Sequence, residues 1–293
     1  MKLSQILAAG KPALSFEVFP PKTSAGFRSV ERAVRQIAAL KPSYMSVTYG
    51  AGGGTSAYTI SIAQEIRKNL GVESLAHLTC VCSTRETIRQ QLAALSQAGI
   101  ENILALRGDI PQGMDLSQPP YYRYAAQLIA DIRASGNFCI GGACYPEGHP
   151  ESGNQRRDID FLKAKVEAGC EFLTTQMFFD NNILYNFLYK IRDAGIRVPV
   201  VAGIMPVTNG AQVARICQLS GMLLPPRFKQ IVDRFGDDPA AMAQAGVAYA
   251  TEQSIDLYAN GVNHVHVYSM NKPQVAQQIH QNLSSIIGVG GEA

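Results

Sequence analysis

A chain of 293 residues, 46% hydrophobic and 17% charged, is long enough for one large core and has neither a disordered nor a low-complexity composition. Its net charge of +3 comes from basic residues scattered along the sequence, which excludes the clustered Lys/Arg stripe of a nucleic-acid surface and leaves an anionic small molecule open as a partner. No run reaches the ~18 to 20 apolar residues of a membrane span, the amino terminus lacks the regions of a signal peptide, and the six cysteines form no C-x-x-C pair, so a cytoplasmic protein with buried free thiols is expected.

In chain order, Leu14-Ser15-Phe16-Glu17-Val18-Phe19-Pro20-Pro21-Lys22 alternates and is rich in β-branched and aromatic residues, which predicts a strand stopped by the proline pair. Glu17 sits in its middle. A carboxylate there is paired with a cation, or kept protonated for proton transfer, or turned to water on an edge strand. Helical spacing follows over 27–40, then a strand at 44–49 that runs into the glycine-rich 50–55, a helix over 58–70, a strand at 75–82 and a helix over 84–97. The fourth strand, 103–106, leads through Arg107-Gly108-Asp109 into a Pro/Gln/Gly-rich loop and a helix over 122–134. Three more strand and helix pairs are predicted, at 138–145 with 156–168, 172–178 with 181–194, and 198–205 with a helix from 212. The stretch 223–261 breaks the rhythm with a Pro-Pro loop and two helices before a strand at 265–269 and a last helix over 274–286.

Strands alternating with crossover helices predict parallel pairing, and eight of them predict an α/β fold, a (β/α)8 TIM barrel, as a single catalytic domain over 1–293 with extra helices around 223–261. The rival doubly wound sheet lacks a G-x-G-x-x-G after the first strand.

In such a barrel the chemistry lies at the carboxyl ends of the strands. Thr48 and Tyr49, His77 and Thr79, Arg107 and Asp109, Tyr145, Glu147 and His149, Gln176, and Asn271 with Lys272 all fall there. Each has a plainer reading: Arg107 and Asp109 can form a local ion pair, and His77 can be a core histidine. His264 and His266 share a strand face but lack a third ligand, so no metal is expected. The glycine run can cradle phosphate through its amides without the Lys-Ser/Thr of a P-loop. Gln176, inside Thr174-Thr175-Gln176-Met177-Phe178-Phe179, can donate and accept along one edge of a heterocycle.

Six segments in order, Phe16 to Lys22, Ser46-Val47-Thr48-Tyr49-Gly50, His77-Leu78-Thr79-Cys80, Leu106-Arg107-Gly108-Asp109, Tyr145-Pro146-Glu147-Gly148-His149-Pro150-Glu151 and Thr175 to Phe179, resemble the signature segments of the methylenetetrahydrofolate reductases and cover essentially the whole chain. The resemblance implies an FAD-containing barrel that uses NAD(P)H to reduce 5,10-methylenetetrahydrofolate to 5-methyltetrahydrofolate by ping-pong turnover, in one-carbon metabolism and methionine biosynthesis. It places flavin contacts on Thr48, Tyr49, Ala51, His77, Arg107, Gly108, Asp109, Tyr124, Ala125, Tyr145, His149, Asp158 and Lys165. It puts folate on Gln176, substrate or nicotinamide on Lys272, Glu17 as the acid at folate N5, and Asp109 beside the cation that results. A homo-oligomer is expected, and a companion electron-transfer subunit is compatible with the pattern. A flavin-free pterin-binding transferase and a non-catalytic folate-binding subunit stand as alternatives. Ala164, Ile216 and Lys272 depart from residues common in the family, and its carboxyl-terminal regulatory domain is expected to be absent.

Overall fold

A computed structural model describes residues 1–21, 23–49, 56–110, 122–220, 222 and 224–288. Eight parallel strands close into a barrel in sequence order, β1 (Ala13–Val18), β2 (Met45–Val47), β3 (Ser74–Thr79), β4 (Asn102–Leu106), β5 (Cys139–Cys144), β6 (Phe172–Thr175), β7 (Val200–Ile204) and β8 (His264–Tyr268). The closure pairs β1 with β8, Phe16 opposite Val267 and Glu17 opposite Tyr268. Pro199 and Pro206 bracket β7 and trim the predicted 198–205 to the five residues that keep ladder bonds.

The helices are α1 (Leu3–Ala8), α2 (Phe27–Ala38), α3 (Ser56–Lys68), α4 (Arg85–Gln97), α5 (Ala125–Ser135), α6 (Gln155–Glu167), α7 (Asn181–Asp193), α8 (Val213–Ser220), α9 (Pro226–Phe235), α10 (Pro239–Ala259) and α11 (Pro273–Gly288). Their starts are written in the sequence. Thr84, Asn154 and Asp238 accept hydrogen bonds from backbone N–H groups of the first turns of α4, α6 and α10, and Pro239 follows Asp238 where no N–H is needed. The two helices expected in 223–261 are α9 and α10.

Strand parity divides the core. Leu14, Phe16, Val18, Val47, Leu78, Ile103 and Ile140 face outward into the apolar layer shared with the helices. The alternate residues face the lumen, which is stratified. At the amino ends of the strands Tyr44, Leu75, Leu104, Cys139, Phe172 and Val201 form a second apolar cluster with Leu3 and Leu7. Helix α1 is therefore a plug in the barrel floor. Leu3 N donates to Asn102 Oδ1 (2.8 Å), and His264 Nε2 lies 2.8 Å from the Leu7 carbonyl. This helix is absent from the predicted elements, which start with the strand at 14.

Candidate active site

Above the plug the lumen turns polar. Ser15, Ser46, His77, Thr174 and His266 are all buried there. His266 lies between two serines, with Ser15 Oγ 2.7 Å from Nδ1 and Ser46 Oγ 2.9 Å from Nε2, and its ring stacks on Tyr44. Ser15 Oγ also donates to the Val265 carbonyl. That leaves it to accept from Nδ1–H of His266, and Ser46 donates to Nε2, a tautomer assigned from the network. Burial pulls the His266 pKa down to about 3, with His77 adding to the effect, so the ring is neutral.

Glu17 stands one layer higher, its side chain 18% exposed, with Oε2 3.7 Å from Nε2 of His77. Burial pushes the Glu17 carboxyl up to about 8 and pulls His77 down to about 3. Of the three readings of Glu17, the retained proton is the one that fits: it lines the lumen rather than an edge strand, and the neighbouring imidazole does not carry a compensating charge. His77 Nε2 is buried without a hydrogen-bond partner, which makes it available to a bound group.

Tyr268, opposite Glu17, reaches across β7 to donate to the Thr175 carbonyl at 2.6 Å. Gly203 makes the crossing possible, because a Cβ there would sit 2.3 Å from the Tyr268 hydroxyl and 2.5 Å from that carbonyl. The next residue is Gln176, whose N–H donates to the Cys144 carbonyl (2.7 Å) and whose Oε1 accepts from Met177 N (3.0 Å).

The mouths of β4 and β5 hold the charged residues. Arg107 forks Glu151 through Nη1 (2.6 Å) and Nη2 (2.7 Å), and its Nε donates to the Gly108 carbonyl (3.1 Å). The local ion pair considered for Arg107 and Asp109 is thus replaced by a pair with Glu151, and Asp109 is exposed at the strand exit. Tyr145 meets His149 edge-on with centroids 4.5 Å apart. His149 N donates to Asp158 Oδ2 (3.2 Å), and burial raises that carboxyl. Lys165 is directed inward: its ammonium donates to the Ala143 carbonyl (2.7 Å), and burial lowers its pKa, with Arg107 contributing. Tyr124 stacks on Phe161 of α6 at 5.2 Å, and Ala125 opens α5.

Thr48 receives a hydrogen bond from Thr59 of α3 at its carbonyl, and Tyr49 packs on the outer apolar layer. Ala51 and the glycine run at 50–55 lie outside the described residues. On the far side of the mouth Lys272 donates to Thr208 Oγ1 (2.7 Å), in a small concavity with Met205, Ile216 and Met270. The strand-end residues thus fall into two groups, a β3 to β5 cluster of cations and aromatics and a β7 to β8 cluster around Lys272, with Glu17 and Gln176 between. Sequence reasoning missed Tyr268, Gly203 and the serines around His266; inward parity along β1, β2, β7 and β8 is the signal that could have found them.

Among the described residues no set of three or more His, Cys, Asp and Glu side chains is placed to hold a metal, and no helix is long and apolar enough to cross a membrane. The family model for methylenetetrahydrofolate reductase matches residues 2–284. The chain is 34% identical to the 5,10-methylenetetrahydrofolate reductases of Pectobacterium carotovorum and Escherichia coli, in each case over 96% of this chain and 94% of the relative. It is also 34% identical to methylenetetrahydrofolate reductase (NADH) 1 of Zea mays over 97% of this chain, but spans 50% of that relative's length. Among solved structures, an uncharacterized protein from Clostridium thermocellum that binds two copies of 5-methyl-5,6,7,8-tetrahydrofolic acid superposes with a TM-score of 0.65 over 98% of this chain and 99% of its own. At 12% identity that likeness concerns the fold.

Proposed function

The chain belongs to the methylenetetrahydrofolate reductase family, and we propose that it reduces 5,10-methylenetetrahydrofolate to 5-methyltetrahydrofolate with FAD and electrons from NAD(P)H. The observation that carries the reading is Glu17, a lumen carboxyl whose proton burial retains up to about pH 8.

The residues fit a flavin dinucleotide. His77 offers a buried, unpartnered ring nitrogen, Tyr145 and His149 offer aromatic faces and edges, and Arg107 is a forked donor that already holds an oxyanion. Gly108 has φ +86, and a Cβ there would lie 2.7 Å from Val81, so the backbone at the β4 exit is close-packed in a way other residues do not allow. Thr48, Tyr49, Ala51, His77, Arg107, Gly108, Asp109, Tyr124, Ala125, Tyr145, His149, Asp158 and Lys165 would hold the group. FAD, when bound, would accept hydride from the nicotinamide and return it to the folate carbon.

The protein's own part is positional and acidic. Gln176 would pair with one edge of the pterin, and Lys272 would face the substrate's charged end. Because the product carries its methyl on N5, the bond that breaks runs from the methylene carbon to N10, and the proton must finish on N10. The expected protonation at N5 is corrected accordingly: Glu17 would give its proton to the departing N10, leaving an iminium cation at N5 that Asp109 would stabilise. Both substrates would occupy the same mouth in turn. The test is anaerobic reduction of the purified flavoprotein by NADH and by NADPH, followed by methylenetetrahydrofolate. Bleaching and then recovery of the flavin band supports the reading; a colourless protein points to a flavin-free pterin-binding barrel, and bleaching without recovery on adding folate overturns the folate reductase reading.

A further inference from the structure

The last pair of the barrel's closure is Glu17 with Tyr268, and past it side chains replace the ladder. Ser269 Oγ donates to the Glu17 carbonyl at 2.7 Å. Asn271 then takes both backbone groups of Phe19, its Oδ1 accepting from Phe19 N at 3.0 Å and its Nδ2 donating to Phe19 O at 2.9 Å. The amide thus substitutes for the next residue of a neighbouring strand. Phe19 is also the last residue of β1's exit that a ladder could hold by its N–H, because Pro20 and Pro21 have none.

Reaching this arrangement is costly to the backbone. Met270 and Asn271 both have φ of +52, a left-handed pair in which neither residue is glycine. Lys272 follows at once and extends the other way, to Thr208 beyond β7. One short turn therefore braces the exits of β1 and β7. Buried Ser269 and the two-point Asn271 contact are the anchors on the β1 side.

We infer that Asn271, assisted by Ser269, is a positioning residue for the proton-donating step: by pinning the Phe19 and Glu17 backbone the two hold the Glu17 carboxyl in its lumen position, facing a substrate in the mouth. The inference rests on the folate reductase reading. Asparagine is tolerated in the left-handed region but glycine prefers it, so Asn271→Gly relaxes the strained backbone while deleting the clasp. Ser269→Ala deletes the other anchor without touching φ.

The experiment compares wild type, Asn271→Gly and Ser269→Ala as FAD-loaded proteins. Both variants should bleach with NAD(P)H at the wild-type rate and recover with methylenetetrahydrofolate about 10- to 100-fold more slowly, a partial loss of the about 10²- to 10⁴-fold that general acid catalysis supplies. A second readout needs no turnover. The infrared band of the protonated Glu17 carboxyl, assigned by its loss in Glu17→Gln, should titrate at lower pH in both variants, because a loosened β1 exit admits water. Should Asn271→Gly fail to fold, Ser269→Ala carries both measurements. Wild-type recovery rates and an unmoved carboxyl titration in the folded variants would overturn the inference, as would equal loss of both half-reactions. If wild type itself does not recover with folate, the reductase reading fails first, and the infrared titration still tells whether the clasp governs Glu17.

Discussion

Glu17 Oε2 lies 3.7 Å from His77 Nε2, too far for a hydrogen bond and within a lumen where neither group holds charge at neutral pH. The pair stays uncharged because burial disfavours the charged form of each partner. Its consequence for stability follows from proton linkage.

Below the ordinary imidazole pKa of 6.5 the unfolded chain binds protons that His77 and His266 refuse until about 3, so their contribution rises with pH up to 6.5. Glu17 works in the opposite sense: above its ordinary 4.5 the unfolded chain releases a proton that the fold keeps until about 8, so this contribution falls as pH rises. Two imidazoles outweigh one carboxyl on the acid side. Stability should peak near pH 6.5 to 7 and decline towards pH 8, and Glu17→Gln should flatten the alkaline limb alone. Urea unfolding across pH tests it; an alkaline limb equally steep in the variant would assign the decline to another group.

Gly203→Ala should cost about 1 to 3 kcal/mol, the usual penalty of overpacking, because its Cβ would enter the Tyr268 hydroxyl and the Thr175 carbonyl. The displaced Tyr268 would release the strand end that bears Gln176. Folate KM should rise while flavin content holds, and a variant with wild-type KM and unfolding midpoint would show that the crossing positions nothing.

The barrel was legible because its outward strand faces are continuous apolar runs and its helices carry caps and glycine stops. The lumen was harder to read. Ser15, Ser46 and His266 are ordinary residues in sequence, and only closure brings the three strands to one hydrogen-bonded centre. Arg107 was recognised as a strand-end cation, but its partner Glu151 is 44 positions away and belongs to the next strand's loop. Helix α1 has six residues, less than two turns, so no periodicity could develop; its two leucines have meaning only against the barrel floor.

Leu7→Ala should destabilise the fold by about 2 to 5 kcal/mol, as for other fully buried leucines, since Leu7 is 3% exposed within the plug. The floor lies at the end of the barrel opposite the mouth, so turnover at low temperature should persist. Loss of turnover without loss of stability would mean that the plug reaches the chemistry.

A guanidinium can fork one oxyanion at a time, and Arg107 spends its fork on Glu151. If Arg107 serves a flavin phosphate, Glu151 is its competitor. Glu151→Gln should tighten FAD several-fold and Arg107→Gln should weaken it, both by fluorescence titration of the apoprotein. Weaker binding in Glu151→Gln would place the pyrophosphate elsewhere.

Glu17→Gln separates the two halves of the proposed cycle. Hydride entry from the nicotinamide consumes no proton from Glu17, whereas opening the folate ring requires one at N10. Glutamine keeps the size and a hydrogen-bonding end but has no proton to transfer, and general acids typically contribute about 10²- to 10⁴-fold. Stopped-flow traces should therefore show near-normal bleaching by NAD(P)H followed by little recovery on adding methylenetetrahydrofolate. In the wild type, recovery should slow as pH rises through about 8, where the Glu17 carboxyl loses its proton. Equal loss of both halves would make Glu17 a structural or flavin-binding residue. Loss of neither would mean that the proton comes from another group, and that the buried carboxyl on β1 is a stability cost without a catalytic return.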